Sequence, residues 1–84
     1  MQRPVVSIVM PVWQESDTIV EALEGLAGWR RAGHEVIVVD GGSEDDTRSK
    51  AARLCDRLLV TDPGRALQMN AGARKARGDV LLFL

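Results

Sequence analysis

The segment at residues 35–43, EVIVVDGGS, limits the possible folds more than any other part of the chain. Four consecutive branched aliphatic residues run straight into an acid and a Gly-Gly-Ser turn. An uninterrupted apolar run bounded by turn residues is typical of a strand buried on both faces of a parallel sheet. The acid, Asp40, then falls at the carboxyl end of the strand, where open α/β sheets bind ligands. Ser43 is predicted to be the N-cap of the next helix.

Strand and helix patterns alternate along the rest of the chain. Apolar runs predict strands at residues 5–12, 36–40, 58–60 and 80–84. Periodic apolar and small residues predict helices from about 18 to 33, 43 to 54 and 65 to 76. Thr18 with Glu21, and Ser43 with Asp46, have the spacing of capping pairs. The order βαβαβαβ predicts an α/β fold with an open parallel sheet and helices on both of its faces.

Size and composition fit one small domain over residues 1–84. The net charge of -1 gives no indication of a nucleic-acid partner. The single cysteine, Cys55, rules out an internal disulfide and is expected to be a small buried side chain in a reducing compartment. Neither a signal peptide nor an apolar stretch of about 20 residues is evident, so we expect a cytoplasmic chain without a transmembrane segment.

The chain ends within the apolar run 80–84, which is predicted to be another buried strand. A bare apolar strand at a terminus invites pairing with another chain. We therefore expect the sequence to be the front part of a longer domain. The alternative is a piece that associates through this strand with a partner, such as a second copy of itself.

Two turns carry the first group of candidate ligand-binding residues. They are Pro11, Val12, Trp13 and Glu15 after the first strand, and Asp40, Gly41 and Gly42 after the second. Parallel strands place both turns on the same edge of the sheet, where they can close on one ligand. The Asp40 carboxylate can accept hydrogen bonds from a base or a ribose, and Trp13 or Val12 can pack on a flat ring. Gly41 and Gly42 let the backbone approach a ligand closely.

Each of these residue types also occurs for structural reasons alone. An acid after a strand is often a turn former or a cap, and Gly-Gly is a common turn dipeptide. An exposed tryptophan can cover an apolar rim, and a glutamate such as Glu15 is ordinarily a solvated surface charge. The sequence leaves these alternatives open.

The start of the last predicted helix carries the eighth candidate, Arg65. A helix start favours anions, and a guanidinium adds a bidentate grip on phosphate, although a solvated arginine is the alternative. Gln68 and Asn70 lie in the same helix and can bind backbone or ligand. His34 is expected at the surface without a partner. No spacing indicates a zinc site, and neither the P-loop nor the dinucleotide-binding glycine motif is present.

Four segments, in order, resemble family 2 glycosyltransferases of the GT-A fold. Residues 7–15, SIVMPVWQE, resemble the family's S-[IV]-[IV]-[IV]-P-x-[YF]-N-E, and residues 38–47, VVDGGSEDDT, resemble V-D-D-G-S-x-D-x-T. Residues 64–72, GRALQMNAG, resemble G-[KR]-x-x-x-x-N-x-G, and residues 76–84, ARGDVLLFL, resemble A-x-G-[DE]-[VY]-[LIV]-x-[FL]-[LI]. Each segment is weak alone, but together they cover almost the whole chain.

The resemblance implies a nucleotide-sugar site with a UDP-sugar as the expected donor. In the family, the pocket for base and ribose is lined by residues that match Pro11, Val12, Trp13, Glu15 and Asp40. The residue that matches Arg65 lies near the nucleotide. Trp13 and Gln14 replace the usual Tyr or Phe and Asn, and Gly41 replaces the second acid of D-D-G. Base recognition would then fall to Asp40 or follow a variant mode.

The resemblance also implies a divalent metal, Mg²⁺ or Mn²⁺, held by a D-x-D motif that is expected just beyond Leu84. This chain would then supply no ligand for the metal. The general base and the acceptor half are expected outside it as well, so catalytic residues stay unassigned and the chain alone is expected to lack transferase activity.

Two alternatives to a glycosyltransferase remain. The first is a non-catalytic nucleotide-binding or assembly module that completes its sheet with a partner chain. The second is a sugar-phosphate nucleotidyltransferase, which has a similar sheet. Such enzymes usually carry a Gly-rich, basic loop after the first strand, whereas residues 11–16 contain neither glycine nor a basic residue.

Overall fold

A computed structural model of the chain describes residues 3–84, in which four strands and four helices follow one another. The strands are β1 (Val6–Val12), β2 (Glu35–Asp40), β3 (Arg57–Val60) and β4 (Val80–Phe83). The helices are α1 (Ile19–Glu24), α2 (Ala27–Arg31), α3 (Thr47–Ala51) and α4 (Arg65–Lys75). All four predicted strands are present, and their ends differ from the predicted ones by one residue at most.

The strands form one parallel sheet in the order β3-β2-β1-β4. β1 and β2 form its centre, in a register that pairs Ile8 with Val36 and Val12 with Asp40. The apolar residues 36–39 are fully buried, because helices cover both faces of the sheet at its centre. The predicted α/β class, an open parallel sheet between two helical layers, is confirmed.

Alternate residues of the central strands face two separate apolar cores. Helices α1 and α3 cover one face, whose buried residues are Ile8, Val12, Ile19, Leu23, Val36, Val38, Ala51 and Cys55. The expectation that Cys55 is a small buried side chain is confirmed. Burial raises the pKa of its thiol, which disfavours the reactive thiolate.

Helix α4 covers the other face, where Val9, Ile37 and Val39 form the core. Gly72 makes this contact close. A Cβ at this position would lie 2.4 Å from Val9 Cγ1 and 3.1 Å from Val39 Cγ2. Position 72 therefore requires glycine, because a side chain there would prevent α4 from packing closely on β1 and β2.

The first predicted helix is wrong in its extent and in its cap. Two short helices, α1 and α2, replace one long helix, which is interrupted at Gly25 and Leu26. Leu26 packs against the α1/α3 core. Gly25 and Gly28 lower the helix propensity on either side of this residue. Thr18 lies at the N-cap position of α1 but makes no side-chain capping bond, so the predicted capping box with Glu21 does not form.

Ser43 is likewise not a helix cap. Its hydroxyl donates to the Asp40 carboxylate and accepts from the Gln14 N–H, and α3 begins only at Thr47. Asp46, its predicted capping partner, takes the N-cap position without a side-chain bond. The buried Asp40 carboxylate is the stronger acceptor nearby and holds the serine in the turn.

The expectations for His34, at the surface without a partner, and for the last strand, buried, are both corrected. His34 has a partner, because its Nδ1 accepts from the Val6 N–H at 3.0 Å and its ring lies 5.2 Å from that of Trp29. β4 is not buried, since its four side chains are 40–47% exposed. Among residues 3–84, β4 pairs with β1 alone, at the edge of the sheet.

Within residues 3–84, we find no helix with the length and apolar character that crossing a membrane requires.

Candidate functional site

Hydrogen bonds join the turn after β1 to the turn after β2. The backbone N–H groups of three successive residues, Gln14, Glu15 and Ser16, donate to side chains of the second turn. Their acceptors are Ser43 Oγ at 2.8 Å, Thr47 Oγ1 at 2.9 Å and Asp45 Oδ2 at 3.3 Å. The two turns therefore lie together at the carboxyl edge of the sheet, as the parallel topology predicts.

Gln14 holds the first turn in an unusual conformation. Its φ of 52° lies in the left-handed region, which costs free energy for a residue other than glycine. Its side-chain Oε1 accepts from the Glu44 N–H at 2.6 Å and from the Asp45 N–H at 3.4 Å. These bonds across the two turns offset the strain and fix the direction in which the preceding residue, Trp13, leaves β1.

Pro11 lies two residues beyond Val9, the last residue of β1 that is paired with β4. The Val9 carbonyl accepts from Leu84 on the β4 side, and the Val12 carbonyl accepts from Gly41 on the β2 side. By this alternation the backbone nitrogen of Pro11 faces the β4 side, past the last Val9–Phe83 pair. Proline has no backbone N–H, so Pro11 donates no hydrogen bond on this side at the tip of β1.

A surface cavity of about 250 Å³, the β1–α4 cleft, opens beside this tip. Its lining residues are Pro11, Val12, Trp13, Glu15, Arg65 and Gln68. Five of the eight residues predicted from the sequence therefore line one cleft. The Trp13 side chain is 58% exposed at its rim, so its ring is available to a ligand.

Arg65 is the first residue of α4 and joins the cleft to an adjoining cavity of about 250 Å³, which Met10, Pro11, Glu15 and Leu84 also line. Its Nη2 donates to the carbonyl of Leu84 at 3.0 Å. The guanidinium thus lies between the cleft and Leu84 and is exposed to solvent.

Asp40 does not line the cleft. Its carboxylate is fully buried and accepts from the N–H groups of Gly42 at 3.0 Å and Ser43 at 2.8 Å, and from the Ser43 hydroxyl. Arg48 Nη1 lies 3.7 Å from it. This geometry is that of the turn former, the structural interpretation that the sequence left open.

Gly41 and Gly42 lie in the same turn and do not line the cleft either. Gly42 has a φ of 92°, which favours glycine in this turn. A Cβ on Gly41 would lie 2.9 Å from Gln68 Oε1. The close approach that Gly41 permits is therefore to a side chain of the protein itself.

Gln68 also lines the cleft, although the sequence names it only as a residue that can bind backbone or ligand and not among the eight site residues. Its side chain is bound to backbone: Nε2 donates to the carbonyls of Val12 at 3.0 Å and Val39 at 2.8 Å, and Oε1 accepts from the Gly64 N–H at 3.2 Å. A signal existed, since Gln68 lies three residues after Arg65 and shares its helix face. Asn70, the other open candidate in α4, is exposed.

The acids of the two turns do not form a metal site. Within the described part of the chain, 3–84, no three His, Cys, Asp or Glu residues cluster closely enough to hold an ion. The hydrogen bond from the Thr47 hydroxyl lowers the pKa of Asp45, which keeps this carboxylate charged as an acceptor in the turn. Its function in the structure is to organise the loop.

Comparison with known proteins identifies the family. A family model described as Glycosyl transferase family 2 matches residues 7–84. A PGL/p-HBAD biosynthesis glycosyltransferase from Mycobacterium tuberculosis is 34% identical over an alignment of 91 residues including gaps. The alignment covers 100% of this chain and 36% of the relative. Glycosyltransferase AglE from Haloferax volcanii is 30% identical over 90 residues, which cover 96% of this chain and 30% of the relative. The chain spans about a third of the length of these relatives.

Solved structures share the fold. Mannosyltransferase PcManGT from Pyrobaculum calidifontis, in complex with GDP-Man and Mn²⁺, is 30% identical with a TM-score of 0.84, covering 95% of this chain and 26% of that chain. Glucosyl-3-phosphoglycerate synthase from Mycobacterium tuberculosis, in complex with Mn²⁺, UDP and glucosyl-3-phosphoglycerate, is 24% identical with a TM-score of 0.85, covering 96% and 33%. The second likeness concerns the fold alone. The chain has the sheet of the GT-A glycosyltransferases and belongs to glycosyltransferase family 2.

Proposed function

We propose that the β1–α4 cleft binds the nucleotide of a nucleotide-sugar, and that residues 1–84 are one partial domain of a glycosyltransferase. The whole protein would transfer a sugar from this donor to an acceptor. One observation carries the proposal: five residues assigned to the nucleotide by family resemblance line a single cleft at the carboxyl edge of the sheet. Open α/β sheets bind ligands at this edge.

The chemistry of the lining suits a nucleoside diphosphate. Trp13 offers an exposed aromatic face on which a base can stack. Glu15 offers a carboxylate that can accept hydrogen bonds from a base N–H or a ribose hydroxyl. Arg65 offers a guanidinium that can bind a phosphate with two parallel hydrogen bonds.

The base of the donor is a choice between uracil and guanine. The family resemblance favours a UDP-sugar, whereas the 30% identical mannosyltransferase was solved with GDP-Man. Asp40 is occupied by its own turn and Gly41 brings no carboxylate, so Glu15 is the acid of the cleft that can read a base. We propose a UDP-sugar as the donor and test GDP beside it.

Metal and general base are proposed to come from other parts of the whole protein. A divalent metal supports the leaving diphosphate in this kind of chemistry, and the mannosyltransferase structure contains Mn²⁺. Residues 3–84 do not fit such a group, because they hold no cluster of three ligand side chains. The 84-residue chain is therefore expected to bind the nucleotide without hydrolysing the donor, and donor hydrolysis above background would contradict this assignment.

Isothermal titration of UDP and GDP into the wild-type chain and two tryptophan variants tests the cleft. We expect Trp13→Ala to weaken nucleotide binding about tenfold, the loss of one stacking contact of roughly 1.4 kcal/mol. Trp29→Ala is the matched control, since Trp29 is also exposed but lines a different cavity with His34. Equal losses in both variants, or no nucleotide binding by the wild type, would refute the proposal.

The exposed β4 supports a second proposal, an assembly function through this strand. Val80, Leu81, Leu82 and Phe83 are each at least 40% exposed, and an apolar edge strand is a template for pairing. Light scattering after size exclusion should then show that the wild-type chain is a dimer and that the Leu82→Lys variant is a monomer. A wild-type chain that is monomeric at high concentration would exclude it.

Because the chain belongs to glycosyltransferase family 2, we do not retain the alternative that it is part of a sugar-phosphate nucleotidyltransferase. A cytoplasmic location is a proposal as well, supported by the free, buried Cys55.

A further inference from the structure

We propose that Gln68 is the positioning residue of the β1–α4 cleft: its amide fixes the distance between the two walls, one carrying Trp13 and the other Arg65. The inference rests on the proposed nucleotide function and deepens it. Neither the motifs nor the family resemblance assigns a role to this side chain.

Three hydrogen bonds of Gln68 connect three separate elements. Its Nε2 donates to the Val12 carbonyl, at the tip of β1, and to the Val39 carbonyl, near the tip of β2. Its Oε1 accepts from Gly64, the residue immediately before α4. One amide thus ties the ends of both central strands to the start of the helix.

These bonds lie directly beneath the cleft. Val12 and Gln68 line it themselves, Trp13 follows Val12 in the chain, and Arg65 follows Gly64. Each wall is therefore one peptide unit away from a bond that Gln68 makes. We therefore expect the loss of those bonds to change the position of Trp13 relative to Arg65.

The structure gives this amide a defined place. Gln68 is only 5% exposed, and all of its polar side-chain atoms that are buried have partners. Gly41 leaves room for it, because a Cβ on Gly41 would lie 2.9–3.1 Å from the atoms of the Gln68 amide group. A residue with any side chain at position 41 would push the amide away from the strand ends.

Only a primary amide of this length provides what the site requires. Two N–H donors meet two carbonyls while one oxygen accepts from an N–H. Glutamate has no donor at neutral pH, and asparagine is one methylene shorter. Methionine has a similar length and shape but forms none of the three bonds.

A cleft held in this way needs no rearrangement when the nucleotide enters. Walls that are already ordered raise the affinity, because binding then loses no free energy in ordering them. Gln68 therefore contributes to nucleotide affinity by holding the two walls of the cleft in place.

A double-mutant cycle on the 84-residue chain tests the inference, with UDP and GDP as the titrated ligands. We expect Gln68→Met and Gly41→Ala each to weaken the binding of the preferred nucleotide about tenfold, since each removes or displaces the hydrogen bonds of the amide. The two effects should not add, because the double variant loses the same bonds only once. Ile8→Val is the control, because it destabilises the opposite core and leaves the cleft untouched.

Binding is compared at a temperature where circular dichroism shows every variant to be folded. A purely structural role would change the unfolding midpoint of Gln68→Met and leave its affinity at the wild-type value, as for Ile8→Val, and this result would overturn the inference. Additive losses in the double variant would overturn it too. If Gln68→Met does not fold, Gly41→Ala alone decides, because a wild-type affinity there would show that the amide position is irrelevant. A wild-type chain that binds neither nucleotide would instead refute the proposed function.

Discussion

Asp40 illustrates what a sequence can and cannot say about a single side chain. Its position after a buried strand is predictable from the apolar run and the Gly-Gly-Ser turn. The direction of its carboxylate is not, because it depends on where Ser43 and the next N–H groups fold back. Gln68 illustrates the converse: its helix face was predictable, but two of its three partners lie 29 and 56 residues away.

Asp40→Asn should destabilise the fold by about 1–3 kcal/mol, because the amide group replaces one acceptor oxygen and leaves a buried donor of the turn without its partner. Urea unfolding measures this change. Asp46→Asn is the control, since Asp46 is exposed and makes no side-chain capping bond in α3; we expect a change within about 0.5 kcal/mol there. Equal free energies of unfolding for the two variants would contradict a structural role for Asp40.

The elements themselves follow the sequence closely where burial dictates them. β1 and β2 were predictable, since continuous apolar runs have few other uses. The division between α1 and α2 was not, because it depends on the packing of Leu26 against a core formed by other elements. The attachment of the β1 turn to the β2 turn was not predictable either, because it depends on the left-handed conformation of Gln14.

The attachment of the two turns should weaken in acid. The Thr47 hydroxyl lowers the pKa of Asp45 below its ordinary value of 3.8. A lowered folded-state pKa adds stability at pH values above 3.8, and this stability is lost as the pH falls through the folded-state pKa. The free energy of unfolding should thus differ between wild type and Asp45→Asn near pH 6, and the difference should shrink below pH 3.8.

Urea unfolding from pH 6 down to about 2.5 checks the pH prediction. In a Thr47→Val background, which lacks the hydroxyl, the pH dependence of the difference should be smaller. A difference that is constant with pH, or that grows in acid, would exclude Asp45 as the cause.

The contact between α4 and the sheet should not tolerate a methyl group at Gly72. Gly72→Ala places a Cβ 2.4 Å from Val9 Cγ1, so we expect a loss of about 1–3 kcal/mol from overpacking. Gly28→Ala in α2 is the matched control. The atom nearest to a Cβ there is Arg31 Nη2 at 3.8 Å, and alanine favours the helix by up to about 1 kcal/mol. Thermal unfolding that ranks the two variants equally would contradict this packing.

The molecule as a whole combines a well-covered centre with an exposed edge. β1 and β2 are covered on both faces, whereas β4 leaves its apolar side chains exposed at the edge next to Arg65. The alternation of strand and helix patterns made the fold class predictable, and five of the eight site residues meet in one cleft. Asp40, Gly41 and Gly42 lie outside it, since Asp40 accepts hydrogen bonds within its own turn and the Gln68 amide packs against Gly41.

A heteronuclear NMR titration of the isotope-labelled chain with UDP and with GDP tests whether the β1–α4 cleft binds the nucleotide. The two tryptophans give two indole N–H signals, one for Trp13 in the cleft and one for Trp29 in a separate cavity. The proposal predicts that the Trp13 signal and the backbone signals of Glu15, Arg65 and Gln68 shift and saturate together while the Trp29 signal stays in place. Shifts centred on Trp29, or no shift at millimolar nucleotide, would contradict it.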